Sequence, residues 1–193
     1  MDALPLTGSQ TVGPFFSLGL LYKEACRNVL SGSATAGERI RLEGRVLDGD
    51  GAAVPDALIE IWQANAFGRY NHPADQSEAP LDPEFTGFGR AGTDEEGRYW
   101  FETIKPGRVA FNAHQQQAPH INVTIFARGL LNHLVTRLYF ADEASNATDA
   151  TLQCVPEERR ATLLATREER EGAVVYRFDL RLQGENETAF FNL

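Results

Sequence analysis

Residues 118–123 (APHINV) come nearest to metal chemistry in type and spacing. Side chains alternate across a strand, so His120 and Asn122 project to one face. A His-x-His pair in that setting offers two imidazoles to a metal from the same side. Asn122 breaks the pair, because its amide is a neutral oxygen donor and a poor replacement for imidazole at a transition metal. The stretch is the outline of a metal site without its full donor set. Tyr70 reads as a buried aromatic with a hydrogen-bonded hydroxyl, and His120 as a core histidine bonded to Asn122 or Tyr70. His72 and His114 fall in loops and read as solvated. His133 lies near a strand start with no partner in view.

Strands must position these residues. Residues 39–47 alternate, with Ile40, Leu42 and Val46 on one face, and end in the turn residues Asp48, Gly49, Asp50 and Gly51. Residues 58–63 (LIEIWQ) are apolar on both faces except Glu60, whose carboxylate needs a partner if buried. A turn at 94–97 leads into a strand at 99–104, which Lys105, Pro106 and Gly107 stop. From His120 the alternation is clean, with His120, Asn122, Thr124 and Phe126 opposite Ile121, Val123 and Ile125. Further strands are predicted at 134–140 and 174–182. Residues 65–92 read as one long functional loop, ordered by Phe67, Tyr70, Phe85 and Phe88. Residues 115–117 fall in another loop. Short helices are predicted at 20–30 and at 156–170, where Pro156 opens a charged run with a Leu163/Leu164 contact face. About seven short strands with turn signals predict an all-β fold, an antiparallel β-sandwich with long loops and one or two short helices. Residues 1–193 read as a single domain, of which 1–37 are irregular.

The chain has 27 acidic against 18 basic residues, a formal net charge of −9. That balance argues against nucleic-acid binding, which needs a basic footprint. An anionic small molecule is still admissible, since one placed arginine holds a carboxylate. Cys26 and Cys154 have no metal-type spacing and read as free thiols of a reducing compartment. No apolar run reaches the length of a membrane span, and the N-terminus lacks a signal-peptide layout, so a soluble cytoplasmic protein is expected. The patterns at Asn146 and Asn186 are then chance glycosylation matches, and the charged run 157–171 a solvated helix face.

Longer motifs carry a resemblance. SQTVGPFF, LIEIWQANAFGRYNH, LDPEFTGFGRAGTDEEGRYWFETIKPG, APHINVTIFARG, TRLYF and YRFDLRLQGENETAFF span nearly the whole chain. Together they resemble the intradiol ring-cleaving dioxygenases, and in particular the alpha-type chains of members built from two homologous chains. In the beta-type chains ferric iron, Fe(3+), is held by two tyrosines and two histidines. By motif those positions are Tyr70, Val109, His120 and Asn122 here. An aliphatic group therefore replaces one phenolate and an amide replaces one imidazole. An arginine expected three residues before the first histidine is Gln117. The resemblance implies that this chain holds no metal and no catalytic residue of its own.

It implies instead a partnership with a homologous iron-bearing beta subunit in a higher hetero-oligomer, with each active site where the two chains meet. The reaction implied for the complex inserts O2 between the hydroxylated ring carbons of protocatechuate, giving 3-carboxy-cis,cis-muconate. Thr11, Gly13 and Pro14 match the N-terminal segment that the alpha side contributes, and Arg128 matches its arginine. Residues 1–37 would form an arm packing on the partner. Arg128 would offer paired donors and a fixed charge to the substrate carboxylate, and Gly13 would let backbone approach the ring. Two other readings stand beside this one. A working metalloenzyme would join His72 or His114, from loops that reach the pocket, to Tyr70 and His120, and needs two compensating substitutions. A stand-alone β-sandwich binding protein would need no partner, against which the aromatic-rich N-terminal segment and Phe190 and Phe191 argue.

Overall fold

The computed structural model describes residues 10–13, 15–112 and 114–192. In chain order its elements are α1 (Phe16–Leu20), β1 (Arg39–Leu47), β2 (Leu58–Gln63), β3 (Phe88–Gly92), β4 (Arg98–Ile104), β5 (Val109–Ala110) and β6 (Gln116–Gln117), then β7 (His120–Phe126), β8 (Leu134–Phe140), α2 (Ala150–Gln153), α3 (Glu157–Arg160), β9 (Leu164–Arg170), β10 (Ala173–Arg177) and β11 (Leu180–Arg181).

Alternation decides which faces meet. In β1 the buried side chains are Ile40, Leu42 and Val46, with charged residues between them. They pack against Ile59 and Ile61 of β2, Ile121, Val123 and Ile125 of β7, and Phe101 of β4 in one core. The strands run β11-β1-β10-β9-β8-β7-β2-β3, and β4 pairs with β1. Because β3 and β4 follow one another through the turn closed by Gly97 N–H on Asp94 O at 2.9 Å, the sheet folds back on itself and is nearly closed. Both halves of the sandwich therefore bury their apolar faces against each other.

Most pairings are antiparallel, as expected, but β1–β10, β1–β11 and β8–β9 run parallel. The last is allowed by the excursion through α2, α3 and two 3-10 turns, since parallel neighbours need a long crossover. Glu60 finds the partner its position required: Arg90, directly opposite on β3, donates to it through Nε at 2.8 Å and Nη2 at 2.5 Å.

Several local expectations are corrected. Only Glu157–Arg160 of the predicted helix at 156–170 is α-helical, and Leu164–Arg170 is strand β9. Its Glu and Arg residues favour a helix in isolation, but pairing with β10 and β8 and burial of Leu163 and Ala165 override that preference. The helix predicted at 20–30 is replaced by α1 at Phe16–Leu20. Beyond it Arg27 exchanges backbone hydrogen bonds with Arg90, and Leu30 N–H reaches Glu102 O, which draws the segment out across the sheet.

Phe88–Gly92, read as loop, is strand β3, and Gln116–Gln117, also read as loop, pairs with Val109–Ala110. The predicted strand 174–182 is interrupted at Phe178 and Asp179. There the Tyr99 hydroxyl donates to the Phe178 carbonyl at 2.6 Å, and the Asp179 carboxylate replaces a backbone acceptor for Arg45 N–H at 2.9 Å. Gly44 lies under this break, where a Cβ would sit 1.8 Å from the Phe178 oxygen. Any side chain there would force the two strands apart.

Candidate functional site

The His120 face of β7 forms a closed polar cluster. His120 is buried, and its Nδ1 lies 2.8 Å from the Ala118 carbonyl. A carbonyl can only accept, so Nδ1 carries the proton and Nε2 presents a lone pair. The Tyr70 hydroxyl donates to Nε2 at 3.3 Å. Asn122, opposite Trp62 in the β2–β7 register, donates its amide to the Tyr70 oxygen and to the Trp62 carbonyl, each at 3.2 Å. The Trp62 ring stacks on Tyr70 with centroids 5.6 Å apart. Burial lowers the His120 pKa to about 4, helped by the charge of Arg137. Burial also raises the Tyr70 phenol, against the opposing hydrogen bond from Asn122. Both groups are therefore neutral near pH 7.

A second layer holds this cluster. The fully buried Asp149 accepts from Ala118 N–H at 2.7 Å, Tyr139 O–H at 3.0 Å and Leu152 N–H at 2.8 Å. Arg137, paired with Asn122 across β7–β8, donates to Gln117 at 2.7 Å. A guanidinium thus reaches this region from β8 although position 117 has none. Neither Asp149 nor Arg137 was assigned a role from sequence. Arg137 stands in the quoted TRLYF motif, but Asp149 is preceded by no strand or turn pattern that marks it.

The four positions that the resemblance implies as iron ligands do not suit ferric iron. Tyr70 offers a protonated phenol that already donates to His120. Asn122 turns its NH2 group, a donor, toward the same oxygen. Val109 is a buried hydrocarbon paired with Gln117 on β6. Hard high-valent iron needs anionic oxygen ligands, and here none is preformed. His72 is exposed, and its Nδ1 accepts Ala74 N–H at 3.1 Å; His114 is exposed as well. Among the described residues, no three His, Cys, Asp or Glu side chains group to hold a metal ion.

Arg128 lies elsewhere, just beyond the end of β7. Its turn closes by Leu130 N–H on Ala127 O at 3.3 Å, with Gly129 at φ 87°, a conformation that favours glycine. The Thr11 hydroxyl accepts Gly129 N–H at 3.0 Å across 118 residues of chain. Two of the sequence-assigned residues, Thr11 and Arg128, are thereby brought together. Gly13 follows two residues on, in open space where a Cβ would meet nothing within 4 Å. Pro14 lies outside the described residues. The Arg128 side chain is 61% exposed and pairs with Asp56. Near the Thr11 segment, Phe15 and Leu18 expose more than 70% of their surface.

The folded-back β-sandwich thus carries a Tyr–His–Asn cluster on one strand face and an exposed arginine corner at the end of that strand. A family model described as Dioxygenase matches residues 12–184. The chain belongs to the intradiol dioxygenase family. It is 46% identical to the protocatechuate 3,4-dioxygenase alpha chain of Burkholderia cepacia, covering all of both chains. It is 40% identical to the beta chain from the same organism, over 95% of this chain and 78% of that one. Among solved structures it resembles the dioxygenase domain of a dioxygenase carbohydrate-binding fusion from Streptomyces sp. SirexAA-E. That likeness has a TM-score of 0.64 at 26% identity and covers 85% of this chain and 89% of the other.

Proposed function

We propose that the chain is the alpha subunit of a protocatechuate 3,4-dioxygenase, acting with a homologous beta subunit that holds the ferric iron. The observation that carries the reading is the Tyr70–His120–Asn122 cluster, in which protons and an amide satisfy the groups that the metal would otherwise bind. A pocket closed in this way leaves the chain to act by positioning. Arg128 and the Thr11–Gly13 segment supply a carboxylate-binding corner. The exposed Phe15, Leu18 and Tyr22 suit an arm that packs on the partner. The protocatechuate ring would be gripped by its carboxylate at this corner, with its hydroxyls directed to the iron of the beta chain.

The test is to produce the chain alone and together with the beta chain of the same organism, then assay iron and O2 uptake with protocatechuate. Iron-free, colourless, inactive protein alone and an active complex carrying one iron per pair of chains is the expected result. Stoichiometric iron in the isolated chain would overturn the reading, as would a complex no more active than the beta chain alone.

A further inference from the structure

Asp56 stands opposite Arg128 for a simple geometric reason. The β2–β7 ladder pairs Leu58 with Phe126, and continuing that antiparallel register two residues outward sets 56 against 128. Ala57 and Ala127, the intervening pair, are fully buried, so both charged residues sit on the rim of a packed floor. Arg128 Nε lies 2.5 Å from an Asp56 carboxylate oxygen, which makes the two an ion pair.

Asp56 itself is fixed. Its φ is 64°, a left-handed conformation that Asp tolerates better than most side chains. The turn that carries it is pinned at both ends by Thr93, whose hydroxyl donates to Val54 O at 2.9 Å and accepts Ala57 N–H at 2.9 Å. Thr93 N–H adds a third bond, to Ala57 O, also at 2.9 Å.

We infer that Asp56 is a positioning residue whose ion pair on the Nε side of Arg128 leaves the Nη1/Nη2 edge to the substrate carboxylate. A guanidinium presents five donors in a rigid fork. An opposite charge beside its Nε side favours one placement of the guanidinium, so the long flexible stem is ordered before substrate arrives. This inference rests on the alpha-subunit reading of Arg128 and extends it to a residue outside the recognised motifs.

The experiment uses the complex with its beta chain. Asp56→Gly suits the left-handed backbone and removes only the carboxylate; Asp56→Asn keeps an acceptor oxygen at the same backbone angle. Asp56→Gly should raise KM for protocatechuate about 10-fold, with kcat and the KM for catechol changed less than about 2-fold, as loss of pre-orientation requires. Asp56→Asn should recover most of that loss. Equal effects on both substrates, or no effect of Asp56→Gly on protocatechuate while Arg128→Ala is selective, would overturn the role of Asp56 alone. An Arg128→Ala complex that does not distinguish the two substrates would remove the alpha-side carboxylate site, and this inference with it.

Discussion

The Tyr70 hydroxyl lies 3.3 Å from His120 Nε2, and a proton occupies the line between two groups that metalloenzymes use as ligands. The arrangement is self-consistent: Ala118 fixes the tautomer, the tautomer makes Nε2 an acceptor, and Asn122 donates to the phenol from its other side. Asn122→His alone should therefore bind no tight ferric iron, because Val109 still offers no oxygen. The double variant Val109→Tyr, Asn122→His should gain iron and a visible phenolate-to-iron absorption. Tight iron in the single variant, measured by metal analysis after desalting, would show that the ligand count is wrong.

Arg128→Ala should weaken use of protocatechuate far more than use of catechol, which has no carboxylate. Loss of a charge-assisted bidentate contact corresponds to about 10- to 100-fold in kcat/KM. Steady-state kinetics on the reconstituted complex decide it, and equal losses for the two substrates would remove the carboxylate role.

Thr11→Val keeps shape but removes the acceptor for Gly129 N–H. Since Thr11 and Gly129 are both exposed, water replaces the lost bond and stability should change by less than about 1 kcal/mol. Activity of the complex toward protocatechuate should fall by several-fold if the bond sets the Arg128 turn. Unchanged kinetics would leave Thr11 with no part in the corner.

Asp149 should matter to folding rather than to substrate. Asp149→Ala strips partners from two backbone N–H groups and the Tyr139 hydroxyl, a cost of about 3–5 kcal/mol for buried unsatisfied donors. Asp149→Asn keeps one acceptor oxygen and should cost less. Denaturant titration of the isolated chain measures both, and a loss below about 1 kcal/mol for the alanine variant contradicts the bracing role.

How much of this was legible beforehand depends on how local the signal is. Strands β1, β2 and β7 were visible because period-two burial writes itself into the order of residues. Strand β9 was not, since LATREER has helix-forming composition and becomes a strand only through its neighbours β8 and β10. The broken tyrosine and histidine positions were visible by motif. The hydrogen bonds that now fill the pocket depend on a register that places Trp62 beside Asn122, and sequence order alone does not set that register. Asp56 was invisible for the same reason: its partner is 72 positions away along the chain.

The last expectation concerns acid. Folding lowers the His120 pKa from 6.5 to about 4, so the unfolded chain binds a proton that the folded chain refuses. Stability from this group is complete above pH 6.5 and is lost as pH falls from 6.5 toward 4. A shift of this size amounts to about 3 kcal/mol in order of magnitude. Glu43, Asp75 and Glu143 are held below their ordinary carboxylate values, so their contributions disappear only at lower pH. The interval between 6.5 and about 4.5 thus belongs mainly to His120. Denaturation midpoints of the isolated chain, taken every half pH unit, should slope downward across that interval. His120→Gln should be less stable at pH 7 and nearly flat there, and an equally steep slope in the variant would assign the acid sensitivity to another group.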